Sequence, residues 1–268
     1  MPDNSVSSRV AAMYGEHDLG SMAIFSGNYI NFGYWEDFTS GPISVDERTK
    51  SQANLYRTVL RRLTIDPNDV ALEVGCGIAV GAALALREFT PRVVHGLDLS
   101  QDQLDRAATV NAELVEQQPG RLVLQQGSAL ELPYAGETFD KCYSVEAAQH
   151  FDNLAAFTCE VYRVLKPGGR LAVTTFFTPY PTAIVELRRL IETIDSGVDV
   201  VSTINSFRDD LLEAGFVDVC IDNIGERVWQ GLDAWIEQTE FKDGWGRNWL
   251  KAYNRGLIDY YLVTADKK

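Results

Sequence analysis

The stretch Val70-Ala-Leu-Glu-Val-Gly-Cys-Gly-Ile-Ala-Val-Gly81 joins a short apolar run to two glycines one residue apart, with a carboxylate just before them. A buried run that feeds a glycine turn and then a helix lets backbone approach a ligand where Cβ atoms would collide, and such turns hold nucleotides. Two ligand classes compete for this one. A dinucleotide fingerprint reads Gly-x-Gly-x-x-Gly and seats a diphosphate on the helix N-terminus. Here the spacing is Gly75-x-Gly77-x-x-x-Gly81, and Val80 stands where the third glycine belongs. Glu73 beside the turn disfavours a diphosphate and suits a ligand carrying an ammonium and a sulfonium, as S-adenosylmethionine does.

A second group with chemistry in it is Tyr143-Ser-Val-Glu-Ala-Ala-Gln-His-Phe151. Glu146 and His150 are four residues apart and face one pocket if this loop is helical. His150 is the best general-base candidate, because imidazole titrates near neutral pH and can take a proton from a hydroxyl. A lone histidine is ordinarily structural, and what favours a role for His150 is its place after a strand. Glu146 reads as a neighbour of the ligand rather than a base. His95, inside a strand pattern, and His17, in a polar stretch, are expected to be uninvolved. The four cysteines, Cys76, Cys142, Cys159 and Cys220, form no Cys-x-x-Cys pair and read as reduced packing residues; no metal site is expected.

The elements that must position these groups begin at Asp69, where β-branched runs alternate with helical patterns, the mark of a parallel sheet flanked by helices. Strands are expected at Val70 to Val74, Arg92 to Leu97, Leu122 to Gln125, Phe139 to Val145, Arg170 to Phe176, Val217 to Ile224 and Ile258 to Thr264. Helices are expected at Ala79 to Glu88, Gln101 to Gln117 with Ser100 as N-cap, Leu154 to Val164, Thr182 to Ile194, Ser206 to Ala214 and Trp229 to Tyr253. The first 60 residues carry no strand alternation and read as helices around the aromatic loop Phe25 to Trp35.

Leu72-Glu-Val-Gly-Cys-Gly77 resembles the first motif of class I S-adenosylmethionine-dependent methyltransferases, and three further stretches agree in order and distance. They are His95-Gly-Leu-Asp-Leu-Ser100, Gln126-Gly-Ser-Ala-Leu-Glu-Leu-Pro133 with Phe139-Asp140, and Val161-Tyr-Arg-Val-Leu-Lys-Pro-Gly-Gly-Arg170. The resemblance spans about 100 residues and extends to the closing Asp259-Tyr-Tyr-Leu-Val-Thr264. It implies an α/β Rossmann-like sheet of seven mostly parallel strands, the last antiparallel, with S-adenosyl-L-methionine as cofactor. It places Asp98 on the ribose hydroxyls and Glu73, Gly75, Gly77, Leu99, Gln103, Ser128, Ala129 and Glu146 around the rest of the cofactor. Two positions depart from the family: Ala79 stands where glycine is common, and Ser128 where an aspartate usually meets the adenine amino group.

Ala12-Met-Tyr14 and Asn28-Tyr-Ile-Asn-Phe-Gly-Tyr-Trp35 resemble the lid of small-molecule methyltransferases. The resemblance implies that Tyr14 closes over the cofactor and that Tyr29 and Trp35 meet the substrate; alternatively, these aromatics glue N-terminal helices to the sheet. The expected organisation is a lid over 1–60 and a core over 61–268, with cap insertions near 178–205 and 229–253.

A formal net charge of −14 opposes binding to nucleic acid or an anionic lipid surface. The cluster Arg57, Arg61 and Arg62 reads as a solvated helix face. With no spanning apolar run and no hydrophobic signal core, the expected location is the cytoplasm. The expected activity is methyl transfer to a small molecule, O-directed and in secondary metabolism. C-methylation of an isoprenoid or polyketide, with or without cyclisation, is the alternative, and a non-catalytic cofactor-binding protein the lesser one.

Overall fold

The computed structural model describes residues 6, 9–10, 22–38 and 40–268. Tyr14 and His17 lie outside the described residues. Seven strands form one sheet: β1 (Val70–Val74), β2 (Val93–Asp98), β3 (Leu122–Gln126), β4 (Phe139–Val145), β5 (Leu165–Phe177), β6 (Val217–Asn223) and β7 (Asp259–Asp266). Their order is β3-β2-β1-β4-β5-β7-β6, and β7 runs antiparallel to both its neighbours while the remaining pairs are parallel. This is the expected seven-stranded sheet with its last strand reversed.

Every residue of β1 is buried, as a central strand covered on both faces requires. One face is covered by α1 (Val45–Leu63), which lies against β4 and β5. That helix starts with a capping box: the Ser44 hydroxyl accepts from the Glu47 N–H, and the Glu47 carboxylate accepts from the Ser44 N–H. It ends at Thr64 in the left-handed conformation. Its arginines are ion-paired, Arg57 with Glu88 at 2.7 Å, Arg61 with Glu36 at 3.7 Å and Arg62 with Asp222 at 2.5 Å. That is the solvated-face reading of the basic cluster. Of the four free cysteines, Cys76 and Cys142 are buried and pack as expected, whereas Cys159 and Cys220 are exposed.

Four expected helices are interrupted. The first is α2 (Val80–Leu84), which widens into a π-turn over Ala85–Phe89. Between α3 (Gln101–Val110) and α4 (Ala112–Gln117), the buried Asn111 amide donates to the carbonyls of Ile78 and Ala107. A side chain that competes for backbone carbonyls disfavours an unbroken helix. After α5 (Leu154–Val164), the 182–194 stretch divides at Ile191 into α6 (Ile184–Leu190) and α7 (Glu192–Asp195). Next come α8 (Ile204–Ala214), capped by Thr203 and stopped by Gly215, and the split pair α9 (Trp229–Ile236) and α10 (Asn248–Asn254). No helix among the described residues is long and apolar enough to cross a membrane.

Candidate active site

The strand order reverses direction between β1 and β4, and in open α/β sheets ligands sit beyond the strand carboxyl ends at such a switch point. A cleft of about 1160 Å³, part of it open to solvent, lies there. Its wall is built from the ends of β1 (Gly75 to Ile78), β2 (Leu97 to Ser100), β3 (Gly127 to Leu130) and β4 (Val145 to Ala147), with His150, Phe151 and Asp152 beyond. Gly75, Gly77, Asp98, Leu99, Gln103, Ser128, Ala129, Glu146 and His150 all line this one cavity.

The two glycines of the turn do different work. At Gly75, with φ +77°, an added Cβ would sit 2.3 Å from the Ala147 Cβ, so the β4 loop leaves room only for hydrogen. At Gly77, with φ +50°, an added Cβ would meet no protein atom within 4 Å. That gap opens on the cavity, and it is the kind of cradle a bound ligand fills. Ala79 also adopts a left-handed φ of +56°, a conformation an alanine enters at a cost of roughly 1–2 kcal/mol. Gly81 lies behind the turn, its Cα against the Tyr56 ring.

The Asp98 carboxylate accepts the Gly77 N–H at 2.8 Å through one oxygen and the Ser100 N–H at 2.9 Å through the other. Each oxygen keeps a lone pair for the cavity, so the group can accept two hydroxyls, as a ribose requires. Burial raises its pKa, and the N–H groups of Ser100 and Gly77 oppose that rise. The Ser128 hydroxyl accepts the Leu130 N–H at 3.1 Å while lining the cavity. Glycine turn, Asp98 and the apolar Leu99 and Ala129 fit S-adenosyl-L-methionine.

Glu146 closes β4 in a left-handed conformation, φ +47°. Its carboxylate accepts the Phe32 N–H at 2.7 Å and the Tyr260 hydroxyl at 2.6 Å. Burial lifts its pKa to about 7 against those two donors and the nearby Arg48. It therefore ties the 22–38 loop, the floor of the cavity and β7 together.

His150 sits on a short 3₁₀ turn, Ala148–His150. Its Nδ1 lies 3.0 Å from the Val198 carbonyl and 3.3 Å from Asp199 Oδ1. Two acceptors facing one ring nitrogen place the proton on Nδ1 and leave Nε2 with the lone pair. The Gln149 side chain beside it is held by other partners, its Oε1 accepting from Thr175 at 2.8 Å and its amide nitrogen donating to the Glu146 carbonyl at 2.9 Å.

Three expected contacts fall elsewhere. Glu73 does not line the cavity; it is fully buried behind the turn, where the Tyr143 hydroxyl donates to it at 3.2 Å. Burial pushes its carboxyl up to about 8, so at neutral pH it is mostly uncharged, and the charge argument drawn from it does not apply. Tyr29 turns to Tyr56, ring centroids 5.8 Å apart, while its neighbours Asn28 and Ile30 face the cavity. Trp35 is buried against Gly231, with the Arg48 guanidinium 5.7 Å from its ring centre. For both aromatics the gluing role describes their contacts.

Sequence reasoning missed Arg48 and Asp199. Arg48 is wholly buried and donates to the carbonyls of Ile24, Asn31 and Phe32, which pins the aromatic loop to α1. Burial lowers its pKa to about 9 against the attraction of Glu146. Phe32 then inserts among Phe176, Trp229, Trp249 and Tyr260, at centroid distances of 5.3 to 6.4 Å.

Residues 72–173 match the family model described as a methyltransferase domain. An O-methyltransferase of Pyrenophora dematioidea is 31% identical over 218 residues, covering 80% of this chain and 77% of the relative. The erythromycin 3''-O-methyltransferase of Saccharopolyspora erythraea is 29% identical over 271 residues, covering 91% and 85%. The geranyl diphosphate C-methyltransferase of Streptomyces coelicolor, solved with Mg²⁺, geranyl diphosphate and S-adenosyl-L-homocysteine, has a TM-score of 0.82 at 16% identity and covers both chains fully. The chain belongs to the class I S-adenosyl-L-methionine-dependent methyltransferases and acts on small molecules.

Proposed function

We propose that this methyltransferase is O-directed and works in secondary metabolism, with His150 as general base. The carrying observation is the position of His150: on the cavity wall, with Nδ1 held by Val198 and Asp199 so that Nε2 keeps a lone pair. Both curated relatives named above are named as O-methyltransferases, one of them for position 3'' of erythromycin.

When bound, S-adenosyl-L-methionine supplies an electrophilic methyl on a sulfonium. Gly75 and Gly77 would let backbone reach it, Asp98 would accept its ribose hydroxyls, and Leu99, Gln103, Ser128, Ala129 and Glu146 would line the remainder of its seat. His150 Nε2 would take the acceptor's hydroxyl proton as the oxygen bonds to the methyl carbon and the carbon–sulfur bond breaks to leave S-adenosyl-L-homocysteine, and Asp199 would hold the ring and stabilise the imidazolium. In this reading residues 1–60 act as lid, with cap segments near 178–205 and 229–253. Of these residues, Val10, Asn28 and Ile30 of the N-terminal segment and Tyr56 of α1 line the cavity, and α1 crosses position 60 and lies along the sheet.

The test uses cofactor with a carbon-13 methyl and a panel of hydroxylated polyketides and glycosides. The expected product carries the label on oxygen, read from its mass and the chemical shift of the methyl carbon. His150→Ala is expected to keep cofactor affinity and lose turnover by about 10²-fold or more. A label on carbon would replace this reading with C-methylation, and unchanged turnover would remove His150 from the chemistry.

A further inference from the structure

We propose that the acceptor end of the cavity selects against anions, so that the acceptor is an uncharged or cationic hydroxyl compound, and a carboxylate, phosphate or sulfonate on its bound portion weakens binding. This rests on reading the cavity as the joint seat of cofactor and acceptor.

Among the lining residues not assigned to the cofactor are Val10, Asn28, Ile30, His150, Phe151 and Asp152, which this proposal takes as the acceptor end. No lysine or arginine is among the described lining residues, whereas Asp98, Glu146 and Asp152 are. The cofactor brings one net positive charge, from an ammonium and a sulfonium less a carboxylate, and three carboxyls face it. Asp152 both lines the cavity and is exposed to solvent.

Two arginines lie close enough to consider. Arg48 spends its guanidinium on the carbonyls of Ile24, Asn31 and Phe32. Arg9, next to Val10, donates from Nε to the Gly197 carbonyl at 3.1 Å. A carboxylate or phosphate entering this space would shed water with no cation in the described wall to replace it, a cost that neutral and cationic acceptors escape.

The test uses the full chain loaded with S-adenosyl-L-homocysteine and two fluorescent probes that share one skeleton, N-phenyl-1-naphthylamine and its sulfonate 8-anilino-1-naphthalenesulfonate. The neutral probe is expected to bind and the sulfonate to bind at least tenfold more weakly. Asp152→Lys, an exposed change that the fold tolerates, is expected to narrow the gap at least threefold by strengthening the sulfonate, and Asp152→Asn to narrow it less. Equal or tighter binding of the sulfonate, no binding of the neutral probe, or a gap unmoved by Asp152→Lys would each overturn the proposal. So would sulfonate binding that disappears in Arg9→Gln, because Arg9 would then be an anion anchor. Calorimetry on the same sample separates the two claims: a protein that binds S-adenosyl-L-homocysteine and methylates a hydroxyl yet prefers the sulfonate contradicts the charge selection alone.

Discussion

Nδ1 of His150 lies 3.3 Å from Oδ1 of Asp199, across 49 residues of sequence; both side chains are close to fully buried, and His150 lines the cavity. The pair is brought together by the segment after α7, whose Val200 N–H donates to the Gln149 carbonyl at 2.7 Å. Burial raises the Asp199 carboxyl, and the neighbouring His150 and the Thr193 hydroxyl oppose that rise. Replacing Asp199 with Asn removes the carboxylate but leaves the Val198 carbonyl to hold the tautomer. Turnover is expected to fall by about tenfold or more with KM for the cofactor unchanged. Steady-state kinetics with both substrates varied checks this, and a change confined to KM would assign Asp199 to binding instead.

The two turn glycines separate fold from ligand. Gly75→Ala drives a methyl into Ala147 and is expected to lower the melting temperature sharply. Gly77→Ala costs only the left-handed backbone, roughly 1–2 kcal/mol, because its methyl projects into open space. It is expected to stay folded and lose affinity for S-adenosyl-L-homocysteine. Melting curves paired with calorimetry distinguish the two variants, and equal affinity in Gly77→Ala would mean that the ligand does not approach there.

Glu73 sets a pH dependence of stability. Its folded pKa, pushed to about 8 by burial, stands above the ordinary 4.5. A raised carboxyl favours the fold fully below the unfolded value, and that contribution is lost as pH climbs through the folded one. Glu73→Gln stays neutral at every pH. The melting temperature of the variant minus that of the wild type is therefore expected to rise between about pH 5 and about pH 9. A difference flat across that range would mean that Glu73 is ionised in the folded protein.

Much of this architecture is legible from local signals, and the exceptions have common causes. The strands Val70–Val74 and Phe139–Val145 and the helix Leu154–Val164 lie where hydrophobic pattern and turn residues agree. Strand β5 begins at Leu165, five residues before the expected Arg170, because Leu165 pairs with Phe139 across a register shift that no local pattern encodes. That Gly75, Gly77, Asp98, Ser128 and Glu146 share one cavity was readable because they follow strand ends, and the topology gathers those ends at one point. Where an aromatic side chain turns is settled by distant partners instead: Tyr56 captures Tyr29, and Gly231 leaves room for the Trp35 ring. Asp199 and Arg48 left no signal, since a carboxylate in a loop and an arginine on a helix read as solvated until the fold buries them.

The first crossover turn and Asp98 make up the proposed cofactor seat. Isothermal calorimetry of S-adenosyl-L-homocysteine against wild type, Asp98→Asn and Asp98→Ala tests it, with circular dichroism to verify that each variant is folded. Loss of two hydrogen bonds to a charged acceptor predicts affinity at least about tenfold weaker in Asp98→Ala. Wild-type affinity in a folded Asp98→Ala would contradict the account.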